Sequence, residues 1–282
     1  MLPTLVKAAL PAVPGLNLLP GIRKTGSELP DLSLVRHDVP IDPRHVASYA
    51  ALCGFPRKDT LPLPYPHLLA FGLHLEIMTD ASFPFPAIGT VHLENSITQH
   101  RPIGAAEKLQ VTARPDNLRP HAKGQVFDLL TTVHSSGELV WEETSTFLRR
   151  GPGDESAPAG PTYAEAPPNG TVWQLPGDLG RRYAGVSGDH NPIHLYGLTA
   201  KAFGFPRQIA HGMWSLGRCV GALENRLADH VRVDVAFKKP ILLPGSVAFG
   251  SRRTQELDSG ASYAFSLSSP TSGAPHLVGS TS

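Results

Sequence analysis

The sequence has little cysteine and little charge. Among 282 residues it contains two cysteines, Cys53 and Cys219, and 17% charged residues. Two cysteines are too few for a disulfide framework, and neither has the spacing of a zinc or redox motif. We therefore expect two buried thiols in a reducing cytoplasm.

The sequence also lacks an excess of charge of one sign and any long uninterrupted apolar run. Its 25 basic and 24 acidic residues give a net charge of +1, so no basic stripe predicts a nucleic-acid partner. Residues 1–25 are apolar but contain four prolines. We expect an irregular arm packed on the body rather than a signal peptide, with shallow membrane contact as the alternative. No stretch predicts a transmembrane helix.

A change of composition divides the chain. Residues 151–170 are rich in Pro, Gly and Ala, which predicts a linker between an N-terminal half, residues 26–150, and a C-terminal half, residues 171–282. Similar segments recur in the same order in both halves. YAALCGFP matches YAGVSGDH, and VHLENSITQHRPIG matches VRVDVAFKKPILLPG. This self-similarity indicates an internal duplication.

Each half has the same predicted order of elements: a short helix, a longer apolar helix and several alternating strands. The second long helix is expected to begin near Gly212 and to bury Met213, Leu216, Val220 and Leu223. Alternating runs such as VRVDVAF and LVWEETSTFLRR predict antiparallel strands. A helix this apolar must be covered by a sheet, which makes the fold class α+β.

Proton-transfer groups concentrate in SGDHNPIH, Ser187 to His194. The carboxyl of Asp189 and the imidazole of His194 could together hold a water and move its proton near neutral pH, with the Asn191 amide orienting either of them. Pro192 is expected to impose a turned path without regular helix. The alternative is a polar turn in which Asp189 caps the next helix.

A second element, IAHGMW, places Gly212 at the start of the apolar helix. The first N–H groups of a helix have no internal partner and lie at its positive end, so the Gly212 N–H is a candidate donor to a carbonyl that gains negative charge. The alternative is an ordinary glycine at a helix start. For His211, packing or capping is the simpler interpretation.

These elements carry a family resemblance. YAGVSGDHNPIH, followed by FGFPRQIAHGM, resembles the MaoC-like (R)-specific hydratases and dehydratases. The whole chain resembles the mycobacterial type of double-hotdog (3R)-hydroxyacyl-thioester dehydratase, which shares the stretches seen here as VPIDPRHVASYA and VHLENSITQHRPI. The resemblance implies a double hotdog: two antiparallel sheets, each wrapped around a central helix, fused in one chain.

The resemblance also implies an activity: reversible addition of water to a trans-2-enoyl thioester in fatty-acid metabolism. It places Asp189 and His194 on the water and the Gly212 N–H on the thioester oxygen. The implied supporting residues are Ser187, Asn191, Tyr183 and His211. The alternatives are a hotdog thioesterase and a non-catalytic acyl-binding subunit, and the intact loop favours the hydratase.

Partners and cofactors follow from the same elements. We expect no metal and no cofactor, because no histidine or cysteine cluster with zinc spacing and no glycine-rich phosphate loop is present. The substrate would be carried on coenzyme A or on acyl carrier protein, by a monomeric pseudo-dimer or a homodimer. Six cations lie near the site in sequence. They are Arg181, Arg182, Lys201, Arg207, Lys238 and Lys239. We expect each to be a solvated surface charge, with contact to a phosphate of the substrate carrier as the alternative.

The first repeat lacks the corresponding loop. About ten residues are missing between Tyr49 and His67, and Leu68 stands where the second repeat has Gly212. We therefore expect one active site per chain. The N-terminal half would supply sheet and pocket wall, and most of its apolar residues would simply pack in the core.

Overall fold

The computed structural model describes residue 24 and residues 27–87, 89–164, 170–257 and 260–282. Apart from Lys24, the predicted N-terminal arm lies outside the described residues. None of the described helices is long and apolar enough to cross a membrane.

The described elements follow the predicted order in each half. The helices are α1 (Pro43–Cys53), α2 (Pro66–Thr79), α3 (Leu179–Ser187), α4 (Pro192–Leu195), α5 (Gly197–Ala202) and α6 (Gly212–Leu223), followed by a 3₁₀ turn (Glu224–Arg226). The strands are β1 (Leu34–Val39), β2 (Thr90–Gln99), β3 (Leu109–His121), β4 (Gly124–Ser135), β5 (Glu138–Arg150), β6 (Thr171–Leu175), β7 (Val231–Phe237), β8 (Gly245–Leu257), β9 (Gly260–Ser268) and β10 (Pro275–Thr281).

The ten strands in the described part of the chain belong to one antiparallel sheet, in the order β1-β3-β4-β5-β2-β7-β10-β9-β8-β6. Each half contributes five neighbouring strands, and the order from either edge towards the centre is the same. The duplication inferred from the sequence is therefore visible in the topology, and the predicted double hotdog is confirmed. The two sheets are continuous with each other through the pair β2–β7.

The β2–β7 pair places the two halves in register. Glu94 lies opposite Ala236, and Gln99 lies opposite Val231. Ile97 and Val233 face each other and are fully buried. Continuous hydrogen bonding across this pair gives each half a sheet neighbour in place of an exposed central edge.

The long helices α2 and α6 lie in the core. In α6 the predicted face is buried, including Met213, Leu216, Val220 and Leu223. The helix α1 also reaches α6: a Cβ on Gly217 would lie 2.6 Å from the Tyr49 hydroxyl oxygen, so only glycine admits that approach. The halves therefore share side-chain packing as well as a sheet.

One local prediction was wrong. Pro192 does not prevent a helix; it is the first residue of α4, and Asn191 is the N-cap. Proline suits this position because its missing N–H would have no acceptor inside the helix, and its fixed φ is already helical. The short helix turns the chain sharply after Asn191.

The predicted linker coincides with a region of little regular structure. The strand β5 ends at Arg150 and β6 begins at Thr171, and residues 151–164 contain neither helix nor strand. Residues 165–169 lie outside the described residues. The division into two domains with these bounds stays a prediction.

Candidate active site

The loop after α3 is shaped by Gly188 and Asp189. Gly188 caps α3 in the left-handed conformation, at φ 76°, which turns the chain away from the helix axis. The N–H of Asp189 then donates to the Ser187 hydroxyl over 3.1 Å, and the N–H of Asn191 donates to Asp189 Oδ1 over 3.1 Å. These local bonds hold the Asp189 carboxyl in one orientation, with its side chain 29% exposed.

Asn191 supports the loop differently from the expectation. Its side-chain oxygen accepts from the N–H of Ile193 at the start of α4, rather than orienting Asp189 or His194 through its amide. The cap starts the helical turn that carries His194. The residue therefore acts on the site through the backbone.

His194 is fixed by one ring nitrogen. Its Nδ1 lies 2.8 Å from the carbonyl oxygen of Ile209. A carbonyl can only accept, so Nδ1 carries the proton and Nε2 presents a lone pair. The N–H of Ile209 in turn donates to the Ile193 carbonyl over 3.1 Å. Ile209 thus ties the loop to the segment that leads into α6.

His211 lies at the N-cap position of α6, but its side chain does not cap the helix. Its Nε2 donates to the backbone carbonyl of Asp189 over 3.0 Å. Its ring stacks on His194 with 3.7 Å between centroids and lies 4.8 Å from the ring of Tyr183. His211 therefore packs the loop against the start of α6.

The carboxylate of Asp189 and the two imidazoles come together. One ligand atom from each of Asp189, His194 and His211 lies within 4.8 Å of the others. His190 follows Asp189 in the chain and is exposed. The structure thus brings Asp189 and His194 to one small volume, with Ser187 and Tyr183 buried next to it.

The charge states of the pair are set by burial and by their neighbours. Burial alone would raise the pKa of Asp189, but His211 and then His194 outweigh it and lower that pKa below its usual 3.8. Burial lowers the pKa of His194 below 6.5, against an opposing effect of Asp189. Burial and the neighbouring His194 likewise lower the pKa of His211 to about 3. At neutral pH the site holds a carboxylate and two neutral imidazoles.

Gly212 opens α6 directly after His211, as predicted. A Cβ at Gly212 would lie 3.1 Å from the ring of Phe237, the last residue of β7. Glycine therefore leaves the first N–H of the helix approachable beside an aromatic wall. No local pattern around Phe237 indicated this contact.

Gly180 was not anticipated as a site residue. It lies in α3, and a Cβ there would be 1.9 Å from the carbonyl oxygen of His194. The helix and the loop can pack this closely only because Gly180 has no side chain. A glycine inside a predicted helix was the available signal, because such a residue needs a packing reason.

The first repeat has a different arrangement at the corresponding place. His67, the counterpart of His211, lies within α2 and pairs through Nδ1 with the buried carboxylate of Glu143 over 2.9 Å. Asn95 Nδ2 donates to the same carboxylate over 2.6 Å. A buried, hydrogen-bonded histidine–carboxylate pair thus occupies this place in the first repeat. One active site per chain stays a prediction.

The described residues of the two halves also touch at the loop. A Cβ on Gly188 would lie 3.7 Å from the ring of Phe71 in α2. The Phe71 ring in turn lies 6.3 Å from that of His67. The N-terminal half therefore forms one wall of the loop, as expected from the sequence.

The comparisons with known proteins agree with this geometry. Residues 171–258 match the family model described as a MaoC like domain. The 3-hydroxyacyl-thioester dehydratase X of Mycobacterium tuberculosis is 38% identical over 263 residues, 92% of each chain. The enoyl-CoA hydratase ChsH3 of the same organism is 25% identical and covers 75% of each chain.

Solved structures share the fold as well. A crystal structure of HtdX from Mycobacterium tuberculosis superposes with a TM-score of 0.77 at 36% identity, covering 89% of this chain and 99% of that one. An acyl-ACP thioesterase from Bacteroides thetaiotaomicron reaches 0.57 at 10% identity, covering 88% and 96%, which is a likeness of fold alone.

We predict that Gly180→Ala displaces the backbone of His194. The added methyl group cannot be accommodated without moving α3 or α4, so we expect a loss of at least about 2 kcal/mol in the free energy of unfolding. Urea denaturation measures it. Gly185→Ala is the matched control in the same helix, because nothing lies within 4 Å of its Cβ. It should be neutral or stabilising by up to about 1 kcal/mol. Equal effects of the two substitutions would contradict the close packing.

A second prediction concerns Glu143. Burial would raise its pKa, but His67, then His74 and the Asn95 amide, lower it to about 2. Glu143→Gln should cost about 2 kcal/mol at pH 7, because an amide has one acceptor oxygen in place of the two carboxylate oxygens that bind His67 and Asn95. The ionised carboxylate stabilises the fold above about pH 4.5, and this stabilisation is lost as the pH falls towards 2. The difference in the free energy of unfolding between wild type and variant, measured by urea denaturation, should therefore become smaller below pH 4.5.

The control for Glu143 is its neighbour in β5. The side chain of Glu142 is 45% exposed and contacts His100 at the surface. Glu142→Gln should change the free energy of unfolding by less than about 0.5 kcal/mol. A pH-independent loss in Glu143→Gln, or a loss no larger than that of the control, would show that the buried carboxylate is not paired as described.

The sequence similarity over most of its length, the match of the family model to its second half and the shared architecture lead to one conclusion: this chain belongs to the MaoC-like family of dehydratases and hydratases.

Proposed function

We propose that the protein catalyses the reversible dehydration of (3R)-hydroxyacyl thioesters to trans-2-enoyl thioesters. The observation that carries this proposal is the pairing of a carboxylate with a neutral imidazole, within 4.8 Å of each other, beside the N-terminus of α6. The names of its relatives, a 3-hydroxyacyl-thioester dehydratase and an enoyl-CoA hydratase, point to the same reaction.

In this proposal Asp189 and His194 hold one water. The Nε2 lone pair of His194 accepts one of its hydrogens, because Nδ1 is committed to Ile209. The Asp189 carboxylate accepts the other hydrogen. Both groups are acceptors at neutral pH, so the water turns its oxygen lone pairs towards the substrate.

Hydration then needs a single proton shuttle. The water oxygen bonds to C3 of the enoyl thioester while one water proton passes to His194 Nε2. The C2–C3 double-bond electrons move to the thioester carbonyl and form an enolate. The imidazolium returns its proton to C2, which restores the carbonyl and neutral His194. Asp189 stays ionised and stabilises the transient imidazolium. Dehydration follows the same steps in reverse.

Gly212 stabilises the enolate. Its N–H has no acceptor within the helix and lies at the positive end of α6, where negative charge is favoured. A donor aimed at a developing oxyanion typically contributes about 3 kcal/mol to the barrier. Tyr183, Ser187 and His211 hold the loop against this helix without taking part in proton transfer.

The thioesterase alternative shares the fold, so the fold does not discriminate between the two. Neither cysteine is available as a nucleophile: both are buried, and burial raises the pKa of Cys53 to about 12 and that of Cys219 further. Hydrolysis would have to use the same water on the carbonyl carbon instead of C3. The products distinguish the reactions directly.

The expectation of no metal stays a prediction. Asp189, His194 and His211 are close enough to hold an ion. However, one ring nitrogen of His194 and one of His211 are each hydrogen-bonded to a backbone carbonyl. The remaining nitrogen of His194 is needed for the proton shuttle, so it would not be available to a metal ion. Dialysis against a chelator should leave hydration unchanged, and loss of activity that zinc restores would contradict the mechanism.

The central test is an assay with crotonyl-CoA and longer trans-2-enoyl-CoAs. Wild type should remove the conjugated enoyl absorbance without releasing thiol. Asp189→Asn and His194→Ala should each lower kcat/KM by about 10² to 10⁴, the usual contribution of a general acid–base group. His190→Ala is the control and should keep its rate. Thiol release in place of hydration would overturn the proposal, as would silence of wild type at every chain length with the acyl group on coenzyme A and on an acyl carrier protein.

The pH dependence supplies a further prediction. The active form needs Asp189 ionised and His194 neutral, and both pKa values lie below their usual values of 3.8 and 6.5. As the pH falls, kcat/KM for hydration should stay level down to about 6.5 and decline only below it. An acidic limb centred above 6.5 would show that His194 is not the base in the state described.

A further inference from the structure

An exposed apolar segment follows the catalytic histidine directly. Among the described residues, five large hydrophobic side chains are exposed, and three of them lie within this short stretch: Tyr196 at 56%, Leu198 at 83% and Phe203 at 41%. Single exposed apolar residues are ordinary on a protein surface. A cluster beside an active site instead indicates a binding surface.

The exposure is built into the fold. The helix α5 is held from its inner side, where Ala200 is buried and the Thr199 hydroxyl donates to the Pro192 carbonyl over 2.6 Å. Leu198 therefore points away from the body. Arg181 fixes Tyr196 by donating to the Leu195 carbonyl over 2.9 Å and lying 5.1 Å from the centre of the tyrosine ring.

The charges around this segment are mostly positive, although the exposed acid Asp178 directly precedes residues 179–208. Residues 179–208 contain the four bases Arg181, Arg182, Lys201 and Arg207, all exposed, and one acid, Asp189, which belongs to the candidate site. The whole chain, by contrast, has 25 basic and 24 acidic residues. The local excess of positive charge is therefore a property of this surface. We call the rim patch the set Arg181, Tyr196, Leu198, Lys201, Phe203 and Arg207.

The rim patch is continuous with the reacting groups. It follows His194 at one end, and at the other it runs through Gln208 into Ile209, which binds the His194 ring. Exposed Lys238 and Lys239 follow Phe237, the ring that packs against Gly212. A partner on the rim patch would thus lie beside the segments that carry the reacting groups.

We propose that the rim patch docks an acyl carrier protein, a small acidic protein that presents the acyl group on a phosphopantetheine arm. This inference rests on the proposed function and names the carrier of its substrate. The phosphates of coenzyme A would be neutralised by the cations but would leave Leu198 and Phe203 in water. An acidic protein surface with apolar side chains complements both the cations and the exposed apolar side chains of the rim patch. Charge would steer the encounter, and apolar contact would hold the complex together.

The test compares one acyl group on two carriers. Wild type is assayed with trans-2-octenoyl-CoA and with the same acyl group on a bacterial type II acyl carrier protein. Lys201→Glu with Arg207→Glu, and separately Leu198→Ser, should raise KM for the carrier-bound substrate at least about tenfold. The ratio of kcat/KM for carrier-bound to CoA-bound substrate should fall accordingly. The KM effect of the charge reversal should grow at low salt.

Matched controls lie elsewhere on the surface. Val172→Ser removes an exposed apolar side chain from β6, and Lys123→Glu reverses an exposed charge in the β3–β4 turn. Both should leave the ratio unchanged.

Failure of the docking inference and failure of the proposed function would give different results. If wild type hydrates the CoA thioester but not the carrier-bound one, or if the rim-patch variants lose both activities in parallel, the docking inference is overturned and the proposed function stands. If wild type is inactive on both substrates, the proposed function itself fails. If Leu198→Ser converts a dimer to a monomer in sedimentation, a second copy covers the patch and the inference is wrong.

Discussion

The hydrogen bond from His194 Nδ1 to the Ile209 carbonyl is the constraint on which the site depends. It joins two segments that are separated in sequence by α5: the loop that carries Asp189 and the segment that enters α6 at Gly212. It also fixes the imidazole tautomer, so the lone pair is on Nε2 and Nδ1 carries the proton. Without this bond the loop would still contain Asp189 and His194, but the position and the tautomer of the imidazole would no longer be fixed.

The duplication explains why one half can be devoted to support. Each repeat supplies five strands and a buried helix, and the shared pair β2–β7 joins them. In the second repeat the helix begins at a glycine behind a long loop. In the first repeat the loop is short, and the histidine that matches His211 is paired with Glu143. The same fold thus packs a closed polar core in one half and the candidate acid–base pair in the other.

Local patterns predicted much of the fold. Alternating residues placed β7 at its observed bounds, and spacing of three and four placed α6, because both elements have one clearly buried face. The short strands β1 and β6 were missed, since five or six residues at a sheet edge carry little periodicity. The helix at Pro192 was mispredicted because proline was treated as a breaker where it serves as the first helical residue.

The sequence pointed to candidate site residues but not to the residues that support them. Asp189, His194 and Gly212 could be named because their side chains, or the lack of one, suit the chemistry and because the family resemblance implied their roles, which stay predictions. The contributions of Ile209, Gly180 and Phe237 come from a carbonyl, a close approach and a ring from another strand. Such contributions depend on tertiary contacts between distant residues, which no local pattern records.

The most direct measurement is the stereochemistry of hydration in D₂O. If one imidazole takes a proton from the water and returns it to C2, deuterium and hydroxyl must add to the same face of the double bond. Analysis of the 3-hydroxyacyl product by NMR should show a single deuterium at C2, syn to the new hydroxyl, with the 3R configuration. Anti addition, or deuterium distributed over both faces, would contradict a single proton shuttle at His194.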